Sequence, residues 1–341
     1  MSIAEHTSKK LSLLSFIAAV LVVCLHAPTT PEKGASWCIE TFVSTHLSSI
    51  AVPFFFVVSG FFLGRRVDDD HWYKRAVANR IRTLFVSYAI WCMILALVRN
   101  MNSLIANIVN HQPLMRYINF SPVYVWGLNP FVNPPQPLWY LRALMLYVVI
   151  SPVLLVLVRK RFLFIMSFVV FFSLSCCSSW LIGVYPGDLF VFTLAPINVL
   201  AFMTGLFLGR NPIALPRGYG LALLPGLGVM VYGTYLSYSG VCQISPLLWN
   251  IAVVTTLIGI WAICQPVELP KFLKAQAFPI YLLHGVLVTF VLMVRVLAPV
   301  FTLSLIGYLL SVLFMVMGSI GISMLLRKYS PKMAAILFGG R

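Results

Sequence analysis

The sequence predicts an all-α, polytopic membrane protein with about ten transmembrane helices and both termini in the cytoplasm. Three observations predict it. Of the 341 residues, 60% are hydrophobic and 9% charged, and the mean hydropathy is +0.95, outside the range of soluble globular domains. The apolar residues fall into ten runs able to cross a hydrocarbon core of about 30 Å: about 9–27, 39–63, 82–99, 138–158, 162–183, 189–209, 218–238, 245–264, 278–298 and 301–326. The basic residues alternate with those runs. Counting from an inside start, 19 of the 24 Lys and Arg residues fall in segments expected to be cytoplasmic, and Lys33, Arg99, Arg116, Arg142 and Arg295 fall outside or near outer span ends, as the positive-inside rule requires. The net charge of +16 would suggest nucleic acid in a soluble chain; this distribution assigns it to topology, and no nucleic-acid partner is expected.

The first run, Leu11–Ala27, follows Lys9 and Lys10 and carries His26 at its far end. At 1.5 Å of rise per residue, His26 lies roughly 22 Å along the axis from Leu11. An ionisable group at that depth faces a protein interior or a water-filled cavity and is a functional candidate. A His satisfied by a neighbouring helix, or snorkelling to the interface, is the plainer alternative. The sequence before Cys24 lacks the small residue of a lipidation site and no A-x-A site follows, so the span is expected to be retained. In the second run, Pro53 frees a carbonyl that a neighbour must satisfy, and Ser59, Gly60 and Gly64 form a small-residue face for close helix approach.

The basic stretch Trp72–Phe85 is expected as a cytoplasmic loop feeding the third span, with Arg80 and Arg82 at that helix's first turn. The outer segment Asn100–Gln136 carries Tyr117, Phe120, Tyr124, Trp126 and Phe131 among Asn and Pro residues. It reads either as an interfacial aromatic belt or as a platform where flat rings and Asn side chains receive a sugar. Trp139 and Arg142 open the fourth span. His284 lies about 9 Å of helix beyond Phe278; with His26 nearer the outside and His284 nearer the inside, the two are not expected to form an acid–base pair. Glu32, Glu40 and Asp188 are expected outside as solvated loop acids, though Glu40 or Asp188 is placed to assist His26; Glu5, Asp68–Asp70 and Glu268 are expected inside. The seven Cys are scattered without metal-ligand spacing and read as packing residues. No nucleotide loop, zinc motif or Ser-nucleophile elbow is present, and no metal is expected.

A span ending LVVCLH, then VPFFFVVSGFFL, then a basic stretch feeding RIRTLFVSYAIW, resembles the acyltransferase-3 family of membrane acyltransferases. PLWYLRALMLYVVISPVL at Pro137–Leu154 and FPIYLLHGVLV at Phe278–Val288 are similar to that family's later signatures, in family order from residue 11 to about residue 288. The resemblance implies one acyltransferase domain over 1–341 in a bacterial inner (plasma) membrane. It implies transfer of an acyl group, commonly acetyl, from cytoplasmic acyl-CoA to a hydroxyl of a surface polysaccharide or its lipid-linked precursor. No permanently bound cofactor is implied; acyl-CoA, a glycan or glycolipid acceptor and the bilayer are the partners.

The resemblance carries over residue by residue. His26 matches the family's span-one His, its general base, and a neutral imidazole suits proton removal from a sugar hydroxyl. The family's Arg-x-x-Arg reads Arg80-Ile-Arg82-Thr83 here, so Arg80 is in register, Arg82 is one place off, and Thr83 occupies the second position. Guanidinium forks there suit the phosphates of coenzyme A. Arg142 lies in the LWYLR pattern, as an acceptor-orienting or oxyanion-stabilising group or a snorkelling one; Trp126 and Trp139 are the candidate acceptor-binding aromatics. His284 matches the His of YLLH and is expected in a structural or donor-channel role. The family's Arg-x(10)-His arrangement has Ser15 in place of its Arg, with Lys9, Lys10 or another span as alternative sources of that charge. A secondary transporter or flippase for a sugar-lipid or small polar substrate is the competing class, although no internal repeat relates the two halves.

Overall fold

The computed structural model describes residues 3–30, 32–67, 71–109, 137–177, 194–211, 213–240, 243–297 and 304–340. Those residues form helices, and no strand occurs among them. Six helices or continuous helical stretches are long and apolar enough to cross a membrane, one further pair is bent by 68°, and three shorter apolar helices complete the set. These helices overlap the expected apolar runs among the described residues. The chain is an integral, multi-pass membrane protein. Its surface agrees: Val153, Phe162, Leu221, Leu224, Leu309 and Leu313 all stand exposed, an apolar exterior suited to lipid rather than water.

Helix α1 (Ile3–His26) is a single rod. Pro28 follows two residues past its end and stops it. The second run is not one uniform helix. It begins as α2 (Ala35–Thr41), passes through a π-turn (Phe42–His46) and a 3₁₀ turn (Leu47–Ile50), and continues as α3 (Ala51–Gly64). Pro53 lacks the N–H that would bond the Ser49 carbonyl four residues back, within the 3₁₀ turn. Hydroxyls repair the irregular stretch: Ser48 Oγ donates to the Val43 carbonyl at 2.7 Å and Ser49 Oγ to the His46 carbonyl at 2.6 Å.

The third run corrects the expected boundary. The basic stretch is helical rather than a loop: α4 (Trp72–Arg80), a π-turn (Ile81–Phe85) and α5 (Val86–Val109) follow without a break. Arg80 therefore ends α4 instead of opening an apolar helix. The fourth run is α6 (Trp139–Val149) and α7 (Ser151–Val158), the bent pair. Pro152 removes the donor for the Val148 carbonyl, and Ser151 Oγ supplies it at 2.6 Å. Then come α8 (Arg161–Cys176), α9 (Pro196–Arg210), α10 (Leu223–Ser239), α11 (Pro246–Ile263), α12 (Ala277–Leu297), α13 (Leu305–Tyr329) and α14 (Pro331–Leu337).

The α3–α9 crossing is the closest in the described structure. Gly60 and Gly64 face Gly205 and Gly209, and a Cβ at any of the four would run into a main-chain carbonyl of the opposite helix, from Phe202, Leu206, Val57 or Phe61. Such a double small-xxx-small seam lets backbones touch, as the face at Ser59, Gly60 and Gly64 predicts. Around it lies an aromatic core: Phe56 against Tyr140 at 4.7 Å and Tyr147 at 5.1 Å, and Tyr147 against Phe202 at 5.3 Å. Most hydroxyls within the helices bond to the carbonyl one turn back, as Thr204, Thr234, Ser311 and Ser319 do, which satisfies them without a partner helix.

Candidate functional site

A half-open cavity of about 1200 Å³ penetrates the bundle between α1, α3, α4, α6, α12 and the segment after α14. Its wide end is basic: Arg65, Arg66, Arg75 and Arg80 line it together with Trp72, Asn79 and Thr83. The spacing explains the convergence. Trp72, Arg75, Asn79, Arg80 and Thr83 recur at helical intervals along α4 and its π-turn, so one face presents them all. Arg80 is half-buried in this wall, whereas Arg82 is exposed and absent from the lining. Arg65, Arg66 and Arg75 were readable only as topology charges; the α4 stripe was the signal for Arg75, and nothing in the linear order brings Arg65 and Arg66 to it.

The inner end of the cavity is aromatic and polar. Ser15, Ser59, Tyr140 and Tyr281 line it. Ser59 Oγ and the Tyr140 hydroxyl lie 3.1 Å apart, and the Tyr281 hydroxyl donates to the Pro137 carbonyl at 2.7 Å. Eleven residues separate Ser15 from His26, about three turns or 16 Å, so both stand on one face of α1. On α12 the step from Tyr281 to His284 is one turn, and their rings are 6.1 Å apart.

Here the structure overturns an expectation. The His26 and His284 rings are in contact, with centroids 5.0 Å apart and planes at 52°. Axial depth from each helix start placed them apart; α1 and α12 pack so that the end of one meets the middle of the other. The Nδ1 atoms lie 2.9 Å from the Val22 carbonyl and 3.1 Å from the Ile280 carbonyl respectively. A carbonyl only accepts, so each Nδ1 carries the proton and each Nε2 is left as a lone pair. His26 is half-buried and His284 fully buried.

Glu40 is a second correction. It is fully buried rather than solvated, and its carboxylate accepts from the Thr30 N–H and the Thr30 hydroxyl, both at 2.5 Å. It thus pins the turn that leaves His26. Lys9 and Lys10 do not replace the missing Arg at Ser15. Lys9 pairs with Glu5 at 3.0 Å and Glu268 at 3.5 Å, and Lys10 donates to the Trp261 carbonyl at 3.2 Å above the indole face. Neither lines the cavity; the arginines of its mouth do. Glu268, beyond the end of α11, has its carboxyl held below the usual range by Lys274 at 2.6 Å, with Lys9 behind it.

Neither His26 nor His284 lines the cavity, and the remaining candidates lie apart from it as well. Trp139 packs its ring 6.5 Å from Phe56, and half-buried Arg142 extends its field to Tyr88 and Cys92 of α5. Trp126 and the rest of 110–136 lie outside the described residues, as does Asp188. Among the described residues no three His, Cys, Asp or Glu side chains gather to hold a metal ion. One wall has no precedent in the sequence reading. The Leu337 carbonyl accepts from Ser87 Oγ at 2.6 Å and Trp91 Nε1 at 3.0 Å, Phe338 is fully buried, and Gly339 and Gly340 then border the cavity. Gly339 has φ +65° and its missing Cβ would strike the Thr83 carbonyl, so only glycine fits there.

The described helices thus enclose a cavity with four arginines in its lining, and the imidazole pair adjoins it through Tyr281, whose ring lies 6.1 Å from that of His284. The sequence matches the acyltransferase-3 family, described as an acyltransferase domain, over residues 9–328. The chain belongs to that family and is a membrane acyltransferase. Comparison with curated proteins and with solved structures returned no match.

Proposed function

We propose that the chain moves an acyl group, acetyl by family preference, from cytoplasmic acyl-CoA to a hydroxyl of a surface polysaccharide or its lipid-linked precursor in a bacterial inner membrane. The observation that carries this reading is the polarity of the cavity, four arginines at its mouth and serine and tyrosine hydroxyls at its depth beside the His26–His284 pair. Counting the bent pair as one span and the three shorter apolar helices as spans makes ten crossings. With the excess of basic residues inside, both termini and the arginine mouth face the cytoplasm, and the chain acts as one unit over 1–341.

In this reading the guanidinium groups of Arg75 and Arg80, with Arg65 and Arg66, grip the phosphates of the donor. The acyl arm runs past Ser15 and Tyr281, and Ser15 leaves open the width that an Arg would fill. Nε2 of His26 takes the acceptor's hydroxyl proton as its oxygen attacks the thioester carbonyl. The tetrahedral intermediate collapses with loss of the thiolate, which recovers the proton from His26 as free thiol. Arg142 and Trp139 remain candidates for the acceptor side, and Arg82 has no part in this reading.

The test is acyl-CoA turnover in reconstituted membranes, following thiol release and labelled acyl transfer to extracted glycolipid. Removing one charge-assisted phosphate contact costs about 1.5–3 kcal/mol, so Arg75→Ala and Arg80→Ala should each raise the acyl-CoA Michaelis constant about 10- to 100-fold with kcat nearly kept. Gly339→Ala, whose methyl group meets the Thr83 carbonyl, should raise the same constant without removing a charge. Wild-type protein that transports a sugar-lipid yet never consumes acyl-CoA would sink the reading in favour of a transporter.

A further inference from the structure

We infer that His284 is the proton partner of His26: the two imidazoles share the proton that the acceptor hydroxyl releases. The inference rests on the reading above, in which His26 is the base, and adds a residue that acts through it.

A base that becomes a cation inside a membrane needs a group to stabilise it, and in hydrolytic triads a carboxylate supplies that need. Neither imidazole here makes a hydrogen bond or ion pair with a carboxylate among the described residues. The buried acid nearest in sequence, Glu40, accepts from Thr30 instead. Around the pair stand neutral tyrosine and cysteine side chains, with Arg142 in electrostatic reach of Tyr88 and Cys92 and Glu40 in reach of Tyr308. Tyr281 sets its ring at a tilt against His284 from the same helix, with Tyr140 of α6 and Tyr88 and Cys92 of α5 in electrostatic reach of Tyr281. On the α1 side, the Tyr308 hydroxyl of α13 donates to the Cys24 carbonyl at 3.1 Å. His284 is the only ring in contact with His26 among the described residues.

The hydrogen-bond inventory shows what the pair lacks. Both Nδ1–H groups are committed to carbonyls of their own helices. His284 Nε2 is buried with no hydrogen-bond partner among the described residues, an arrangement that calls for an explanation in a native protein. Two lone pairs cannot bond to each other. One added proton changes this, because Nε2–H of a protonated His26 can donate to Nε2 of His284. An end-on bond between imidazoles, with N···N of about 2.9 Å, places ring centres about 5 Å apart. The observed separation is 5.0 Å. The observed spacing of the rings therefore leaves room for the bond without a change in the distance between the two helices.

The step balances. The hydroxyl O–H breaks and its proton forms N–H on His26 Nε2, with His284 Nε2 accepting the new hydrogen bond. The alkoxide oxygen bonds to the acyl carbon, the C–S bond breaks, and the thiolate takes the proton from His26. His284 gains and loses nothing over the cycle. It is a positioning residue.

The test uses the full chain in reconstituted membranes with acetyl-CoA as donor and measures kcat, the donor Michaelis constant and the pH profile. It compares wild type, His284→Leu and His284→Gln, each with His26 intact and with His26→Ala. Loss of a hydrogen bond to a charged group predicts a fall in kcat of about 10- to 100-fold for His284→Leu, with the Michaelis constant unchanged. The acid limb of kcat should move to lower pH, because His26 loses the acceptor that favours its protonated form. Glutamine, whose carbonyl oxygen can accept, should restore part of both. In the His26→Ala background, His284→Leu should have no further effect. A purely structural role would lower activity in both backgrounds and leave the limb in place, and that result overturns the inference. Wild-type kcat and pH profile in His284→Leu overturn it equally. Should His284→Leu fail to fold, His284→Asn, polar but shorter, replaces it with the same expectations. If His26→Ala itself turns over like wild type, the general-base reading fails, and the pair fails with it.

Discussion

His26→Ala is expected to lower kcat for acyl transfer by about 10²- to 10⁴-fold, the usual contribution of a positioned general base. The donor Michaelis constant should stay near the wild-type value, because the arginines proposed to hold the donor line the cavity and His26 does not. The split between the two constants is the informative part. His26 Nδ1 donates to the Val22 carbonyl, which leaves its Nε2 to take a hydroxyl proton. Thiol release measured beside labelled product separates slow transfer from futile hydrolysis. Elution as a single species in detergent establishes that the variant is folded. A folded His26→Ala protein with wild-type kcat would remove the proposed base.

Gly205→Leu is expected to abolish folded protein, and Gly205→Ala to destabilise it by several kcal/mol, at or beyond the usual overpacking range of about 1–3 kcal/mol. A Cβ at position 205 meets the Val57 carbonyl, and the same holds at Gly60, Gly64 and Gly209 with their opposite carbonyls. Backbone cannot rotate aside as a side chain can. The helices must separate, and the aromatic core of Phe56, Tyr147 and Phe202 must open with them. Gly228 and Gly321 are the controls, since among the described residues no atom beyond their own helix turn lies within 4 Å of a Cβ built on either. There alanine should be neutral or stabilising by up to about 1 kcal/mol through helix propensity. Thermal unfolding in detergent, read side by side for Gly205→Ala and Gly228→Ala, decides it. Equal midpoints would mean that the seam does not hold the fold.

These two positions also mark how far the linear order could be read. Gly60 and Gly64 were visible as a close-approach face because their spacing is local to one helix. Their partners Gly205 and Gly209 carry the same spacing but lie 145 residues away, and nothing in the chain order names them as the other half. His26 stood out because an imidazole is costly in lipid. Its contact with His284 did not, since depth along a helix says nothing about where two helices cross. Glu40 read as a loop acid because its burial depends on Thr30 folding back over it.

The sequence by itself determined the class of protein: its hydropathy demands a membrane, a proline stands at the bend between α6 and α7, and the chain matches the family over 9–328. These properties are local, written in periods of a few residues. Tertiary structure alone decided the site. It brought Arg65 and Arg66 to face the Arg75–Arg80 stripe, closed the cavity with Gly339 and Gly340, and set His284 against His26. Each juxtaposition joins elements far apart in the chain, and the angle at which helices cross is set by side-chain packing over the whole bundle rather than by any one segment.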